Sequence, residues 1–133
     1  MNNFTQMLRA HHLKATPQRL EIATTLHKYG HVNIELLYEI MLNKFNSISL
    51  ATIYKNINIM IENAFIQEVK IPNQKSVYEL TKEAHSHLVC QKCGMIEDIE
   101  IDLASTTAQA AAKSNFQITK ADLVFSGVCQ NCR

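Results

Sequence analysis

Four cysteines stand in two Cys-x-x-Cys pairs, Cys90 with Cys93 and Cys129 with Cys132. A two-residue spacer lets both thiolates of a pair reach one ion, and two such pairs make the tetrahedral sulfur set that zinc takes in structural sites. A disulfide framework is disfavoured, because the spans within the pairs are short and a reducing compartment keeps thiols free. A one-pair redox motif does not suit a chain with a second pair, and unrelated core cysteines would not repeat one spacing. The pairs are separated by residues 94–128, more than a compact zinc ribbon needs, so a small domain is expected between them.

Immediately upstream, HSHLVCQKCG (85–94) adds His85 and His87. Alternation along a strand sends both imidazoles to one face. Four thiolates already fill a tetrahedral zinc site, so the two histidines are candidates for a second site. Glu79, Glu83, Glu97, Asp98 and Glu100 lie close in sequence. A mixed nitrogen and oxygen donor set suits Fe(II), Mn(II) or Zn(II). On spacing alone, ligation and a satisfied surface pair stand as equal alternatives. His11 and His12 are expected to face solvent or DNA, His27 fits no ligand set, and Tyr29, Tyr38 and Tyr78 read as core or boundary aromatics.

The elements that would position these residues follow from periodicity and caps. Thr16-Pro17 starts a helix that Gly30 ends. Asn33 caps a stripe of Ile34, Leu37, Tyr38, Met41 and Phe45, and a short helix around residues 3–12 precedes both. Ser49 caps a helix over 49–63 with Leu50, Ile53, Ile57 and Met60 or Ile61 on its apolar face. Phe65–Ile71 and Ser76–Leu80 then read as strands joined by PNQK, a hairpin signal. Helices followed by a hairpin is the order of a winged helix-turn-helix. Beyond residue 81, His87–Cys90 and Ile96–Ile101 read as strands around the CQKCG turn. Residues 103–114 read as a helix with Asp102 near its start, and Phe116–Val128 as one or two strands. The expected fold is α+β: a winged-helix DNA-binding domain over 1–80 and a small α/β dimerisation and metal-binding domain over 81–133. So short a second domain needs a metal or a partner chain. Apolar Ile99, Ile101, Leu123 and Phe125 at its sheet edges point to dimerisation.

In a helix-turn-helix the early residues of the second helix meet base edges and phosphates. Ser49, Thr52, Tyr54, Lys55 and Asn56 have that chemistry, although a merely solvated polar face would look the same without the hairpin that follows. Charge adds little. Residues 1–80 carry eight Lys/Arg against six Asp/Glu, or +2, and residues 81–133 carry five against six, or −1. With 133 residues, 47% hydrophobic and 19% charged, the chain has the composition of a folded globular protein. It has no apolar run of about 18 residues that could cross a membrane. The opening MNNFTQMLRAHHLK has no apolar signal core, so a cytoplasmic location is the expectation.

KATPQRLEI, GHVNIELLYEI, SISLATIYKNINIMIENAFI, HSHLVCQKCGMIED and GVCQNC occur in this order. In that combination, and over nearly its whole length, the chain resembles the ferric uptake regulator (Fur) family. The resemblance implies a homodimer that binds operator double-stranded DNA in a metal-dependent way. It implies structural zinc on Cys90, Cys93, Cys129 and Cys132. It also implies a regulatory Fe(II) or Mn(II) between the domains, with His31 of GHVN, Glu79, His85, His87 and Asp98 as ligands. Closing those bonds would fix the angle between domains, and so the spacing of two recognition helices. Asp98 resembles the peroxide-sensing (PerR-type) branch, where iron-regulating members commonly carry Glu. A further site of many iron regulators would fall on Ala84, Ser86, Ser105 and Ala121, none a good ligand. Zinc-uptake regulators often add a sensory cysteine, and all four here are taken. Glu79 departs from the Asp of the best-known peroxide sensors. The branch implies that peroxide adds oxygen to a ligand histidine, here His31 or His85.

The expected function is therefore a repressor with peroxide as its signal, not an enzyme. An iron-responsive regulator without peroxide chemistry is the alternative. A zinc-dependent hydrolase would need an open metal position, a general base and a substrate pocket, and no HExxH-type motif is present. A zinc-stabilised interaction module would leave the recognition helix and hairpin unexplained.

Overall fold

The structure is a computed structural model describing residues 3–133. The chain divides into two compact units, Met1–Lys82 and Glu83–Arg133. Among the described residues, no helix is long and apolar enough to cross a membrane.

The first unit contains α1 (Phe4–Ala10), α2 (Pro17–Tyr29), β1 (Val32–Asn33), α3 (Ile34–Lys44), α4 (Leu50–Glu62), β2 (Ile66–Val69) and β3 (Val77–Leu80). Side-chain caps set four helix starts. Asn3 accepts from the Gln6 amide, Thr16 from Arg19, Asn33 from Leu36, and Ser49 from Thr52. Pro17 fits the first turn of α2, and Gly30 ends that helix at φ 80°, where a Cβ would be strained. Ile53, Ile57 and Met60 repeat at helical spacing along α4 and are fully buried. They pack with Leu8, Ile22, Leu26, Leu37 and Met41 into a core that lies wholly in this unit. The sheet order is β1-β3-β2, antiparallel throughout, with Val32 opposite Tyr78 and Gln67 opposite Glu79.

One tyrosine departs from expectation in this unit, and one histidine is engaged internally. His11 is half-buried, its Nδ1 lies 3.0 Å from the Asn63 carbonyl and its ring meets Phe65 edge-on. The carbonyls at the end of α4 lack helical partners, and His11 satisfies one. Tyr29 is 49% exposed, with Lys28 Nζ over its ring, so it is not a core aromatic.

Past the Asn63 cap, Ala64 takes φ 58°, a left-handed conformation usually given to glycine. Relief of the Cβ clash is worth about 1–2 kcal/mol. The extra freedom glycine adds to the unfolded chain takes back about 0.4–1 kcal/mol. Ala64→Gly is therefore expected to stabilise the first unit by up to about 1.6 kcal/mol, raising its urea midpoint with an unchanged m-value. A lowered midpoint would contradict this account of the turn.

The second unit contains β4 (Ser86–Cys90), β5 (Ile96–Ile99), α5 (Ala104–Ala112) and β6 (Val124–Gly127). β4 and β5 form an antiparallel hairpin, turned at Gly94 with φ 79°. The chain then crosses over through α5, whose first turn is held by Asp102 Oδ1 accepting from the Ala104 amide, and returns as β6 parallel to β4. Of the one or two strands expected over 116–128, only Val124–Gly127 forms, and Phe116 is 77% exposed outside any strand. α5 buries none of its residues. Among the described residues, Val89 and Cys90 are this unit's only buried apolar side chains.

Candidate functional site

β4 delivers Cys90 and its hairpin turn delivers Cys93. β6, running parallel alongside with Cys90 opposite Gly127, delivers Cys129 and then Cys132. The four sulfurs lie within 4.8 Å of one another, and those of Cys93 and Cys129 are 3.8 Å apart. Tetrahedral bonds of about 2.3 Å to zinc place sulfurs about 3.8 Å apart, so the set fits one structural zinc ion. The amides of Cys129 and Cys93 donate to Cys90 Sγ at 3.4 Å each. Those donors, Cys129 first, pull the Cys90 thiol down to about 5, while hydrogen bonding with the neighbouring thiols, Cys129 foremost, pushes Cys132 up to about 12. Ligation by the raised thiols must release protons. Lys92 Nζ donates to the Cys132 carbonyl at 3.3 Å, tying one knuckle to the other.

Two nitrogen and oxygen sets accompany the sulfurs, one in each unit. In the first, the β1–β3 pairing brings His31, just past Gly30, beside Glu79, with Nε2 3.0 Å from Oε2. Glu79 is only 2% exposed, which a carboxylate tolerates only with partners. Gln67, its cross-strand neighbour, donates to Oε1 at 2.7 Å and so fixes the orientation of the carboxylate. In the second, His87 faces Asp98 directly across β4 and β5, with Nε2 3.4 Å from Oδ1. His85 Nε2 lies 3.6 Å from the same oxygen, and the two rings meet edge-on with centroids 4.6 Å apart. The Glu83 carbonyl lies 2.8 Å from His85 Nδ1, so a proton there leaves Nε2 as the donor to a metal, the arrangement usual for ligating histidines. Glu97 alternates with Asp98 along β5 and lies on the other face, which narrows the carboxylates open from sequence.

The polar face of α4 divides by use. Ser49 Oγ caps the helix and lies 2.9 Å from Thr52 Oγ1. Tyr54 and Lys55 are exposed. Asn56 is half-buried and internally engaged: its Oδ1 accepts from Arg19 Nε at 3.1 Å and its Nδ2 donates to the Thr52 carbonyl at 3.2 Å. Residue chemistry alone puts Asn56 among DNA-facing residues and passes over both Arg19 and Gln67. Gln67 stands just past the SISLATIYKNINIMIENAFI stretch, where nothing in the sequence shows its pairing with Glu79, and Arg19 sits in a helix start that reads fully as a cap.

Comparison with known proteins places this geometry among relatives. The sequence model of the "Ferric uptake regulator family" matches residues 10–126. The ferric uptake regulation protein of Bacillus subtilis is 29% identical over 139 residues, spanning 99% of this chain and 93% of that protein. The peroxide operon regulator of the same organism is 29% identical over 122 residues, spanning 90% of this chain and 84% of that protein. The crystal structure of the Campylobacter jejuni peroxide stress regulator matches with a TM-score of 0.73 at 36% identity, covering 98% of this chain and 100% of that one.

Proposed function

The chain belongs to the ferric uptake regulator family, and from that premise we propose that it is a homodimeric, metal-dependent repressor that leaves operator DNA in response to peroxide. Transcriptional regulation is the family's role; the peroxide signal, the dimer and the regulatory metal are the proposal. Zinc on the four cysteines is structural: a site with four thiolates has no open position for chemistry. His31, Glu79, His85, His87 and Asp98 are the proposed regulatory ligands. The second set, two histidines and one carboxylate, is itself a combination that Fe(II) takes with positions left open, and His31 and Glu79 would fill two of those positions in the five-ligand site. Ligands drawn from both units couple metal occupancy to DNA affinity, as linkage requires.

Asp98 carries the choice of peroxide over iron alone. Its carboxylate is one methylene shorter than Glu, and both histidines of the second unit converge on its Oδ1. The 36% identity to a peroxide stress regulator supports the same side. Equal identity to an iron and a peroxide regulator of one organism keeps the iron-responsive reading as the rival. Bound Fe(II) would activate peroxide so that one oxygen passes to a ligand imidazole, whose two electrons reduce the peroxide, and the other leaves as water, while Mn(II) would support DNA binding without that reaction. His31 and His85 are the proposed targets, as the resemblance to the peroxide-sensing branch implies. An oxidised ring is a poorer ligand, so the DNA-binding form loses population.

The test loads the protein with Fe(II) or Mn(II) and measures operator binding and peptide masses before and after dilute peroxide. The expected result is loss of binding and one added oxygen on His31 or His85 with Fe(II), and neither with Mn(II). Unmodified histidines and intact binding in the Fe(II) protein would make the chain an iron regulator.

A further inference from the structure

The Arg19 guanidinium joins three separate pieces of the first unit. It projects from the first turn of α2, donates through Nε to Asn56 of α4 at 3.1 Å, and through Nη1 to the Lys14 carbonyl in the α1–α2 link at 3.2 Å. Asn56 in turn donates to the Thr52 carbonyl, one helical turn earlier. The apolar contacts of Ile53, Ile57 and Met60 hold α4 against the core but are non-directional, and permit some rotation about its axis. A planar guanidinium with two fixed acceptors is directional. We propose that Arg19 is a positioning residue for DNA recognition: through Asn56 it sets the rotation of α4 on α2, and thereby the aim of Tyr54 and Lys55. Asn56 then acts toward Arg19 and not toward a base. The inference rests on the DNA-binding reading of α4.

The experiment uses full-length, zinc-containing, Mn(II)-loaded protein and a duplex selected from a random-sequence pool by the wild type. Failure of the wild type to select any duplex overturns the DNA-binding reading itself. With that duplex in hand, Arg19→Met, Asn56→Ala and the double variant are compared, at a temperature where melting curves show all of them folded. Each single variant is expected to weaken binding about tenfold, the scale of one hydrogen bond to a charged group. The double variant should be no weaker than either single one, because both remove the same link. The slope of log affinity against log salt should not change, and neither should base preference. Arg19→Lys should behave like Arg19→Met, since one ammonium on a flexible stem does not reproduce the fork. Amide spectra of Arg19→Met without DNA should shift along residues 52–57.

Three results would overturn the inference. A salt slope reduced by about 0.9 in Arg19→Met, with affinity kept in Arg19→Lys, would make Arg19 a direct phosphate contact. A changed preference at one base pair in Asn56→Ala, additive with Arg19→Met, would make Asn56 a base reader. Wild-type affinity in both single variants would leave the link without a role in recognition.

Discussion

Cys93→Ser is expected to strip the second unit of zinc and unfold it while the first unit stays folded. The core explains the asymmetry. Every member of the main hydrophobic cluster lies in the first unit, whereas the second buries only Val89 and Cys90 among its described apolar side chains. A domain that small and that poor in buried surface needs a metal or a partner. Structural zinc supplies about 10–16 kcal/mol of apparent binding free energy, which in such a unit is folding free energy. Serine offers a weakly acidic hydroxyl in place of a thiolate, so three ligands remain. Zinc content should fall well below one ion per chain, and residues 83–133 should become protease-sensitive with collapsed amide dispersion. Tyrosine signals would miss this, because Tyr29, Tyr38, Tyr54 and Tyr78 all lie in the first unit and the chain has no tryptophan. Retained zinc with a protected second unit would rule out zinc ligation by the four cysteines.

His87→Ala is expected to abolish metal-dependent DNA binding without touching the zinc. The residue is 5% exposed and faces Asp98 from the second position of β4, held by pairing with β5. Changes merely adjacent to a metal ligand cost about 10–100-fold in metal affinity, and loss of the ligand itself should exceed that. Mn(II) titration should show affinity reduced by more than about a hundredfold on that scale, and operator binding should not appear at Mn(II) levels that saturate the wild type. Zinc content should stay at one ion per chain. Wild-type Mn(II) affinity would remove His87 from the regulatory set.

Much of this fold is readable because its punctuation is chemical. Thr16, Asn33 and Ser49 each accept from an amide three residues on, so the starts of α2, α3 and α4 are legible as caps. The Cys-x-x-Cys repeat makes the sulfur site legible for the same reason: its spacing is its chemistry. β1 is not legible, since a two-residue strand has no period, yet its pairing with β3 is what brings His31 beside Glu79. The segment before β6 misleads because apolar residues such as Phe116 suggest strand, and nothing local shows that no neighbouring strand pairs there. Asn56 misleads because amide chemistry suits a base as well as it suits Arg19, and only the approach of Arg19 from α2 distinguishes them.

The parallel pairing of β4 with β6 also imposes an order in time. Cys90 and Cys93 meet within one hairpin, a contact that forms in about 1–10 microseconds. Cys129 and Cys132 come back only after the chain has crossed over through α5, closing the span 94–128. That closure costs about 3 kcal/mol in chain entropy, on the logarithmic scaling of loop closure, before any contact rewards it. A zinc ion arriving early therefore meets two cysteines, and the crossover closes onto an ion already in place. The rate of completing the site is then the rate of that closure, so lengthening the α5 crossover with flexible residues should slow maturation of the second unit far more than it weakens the finished fold.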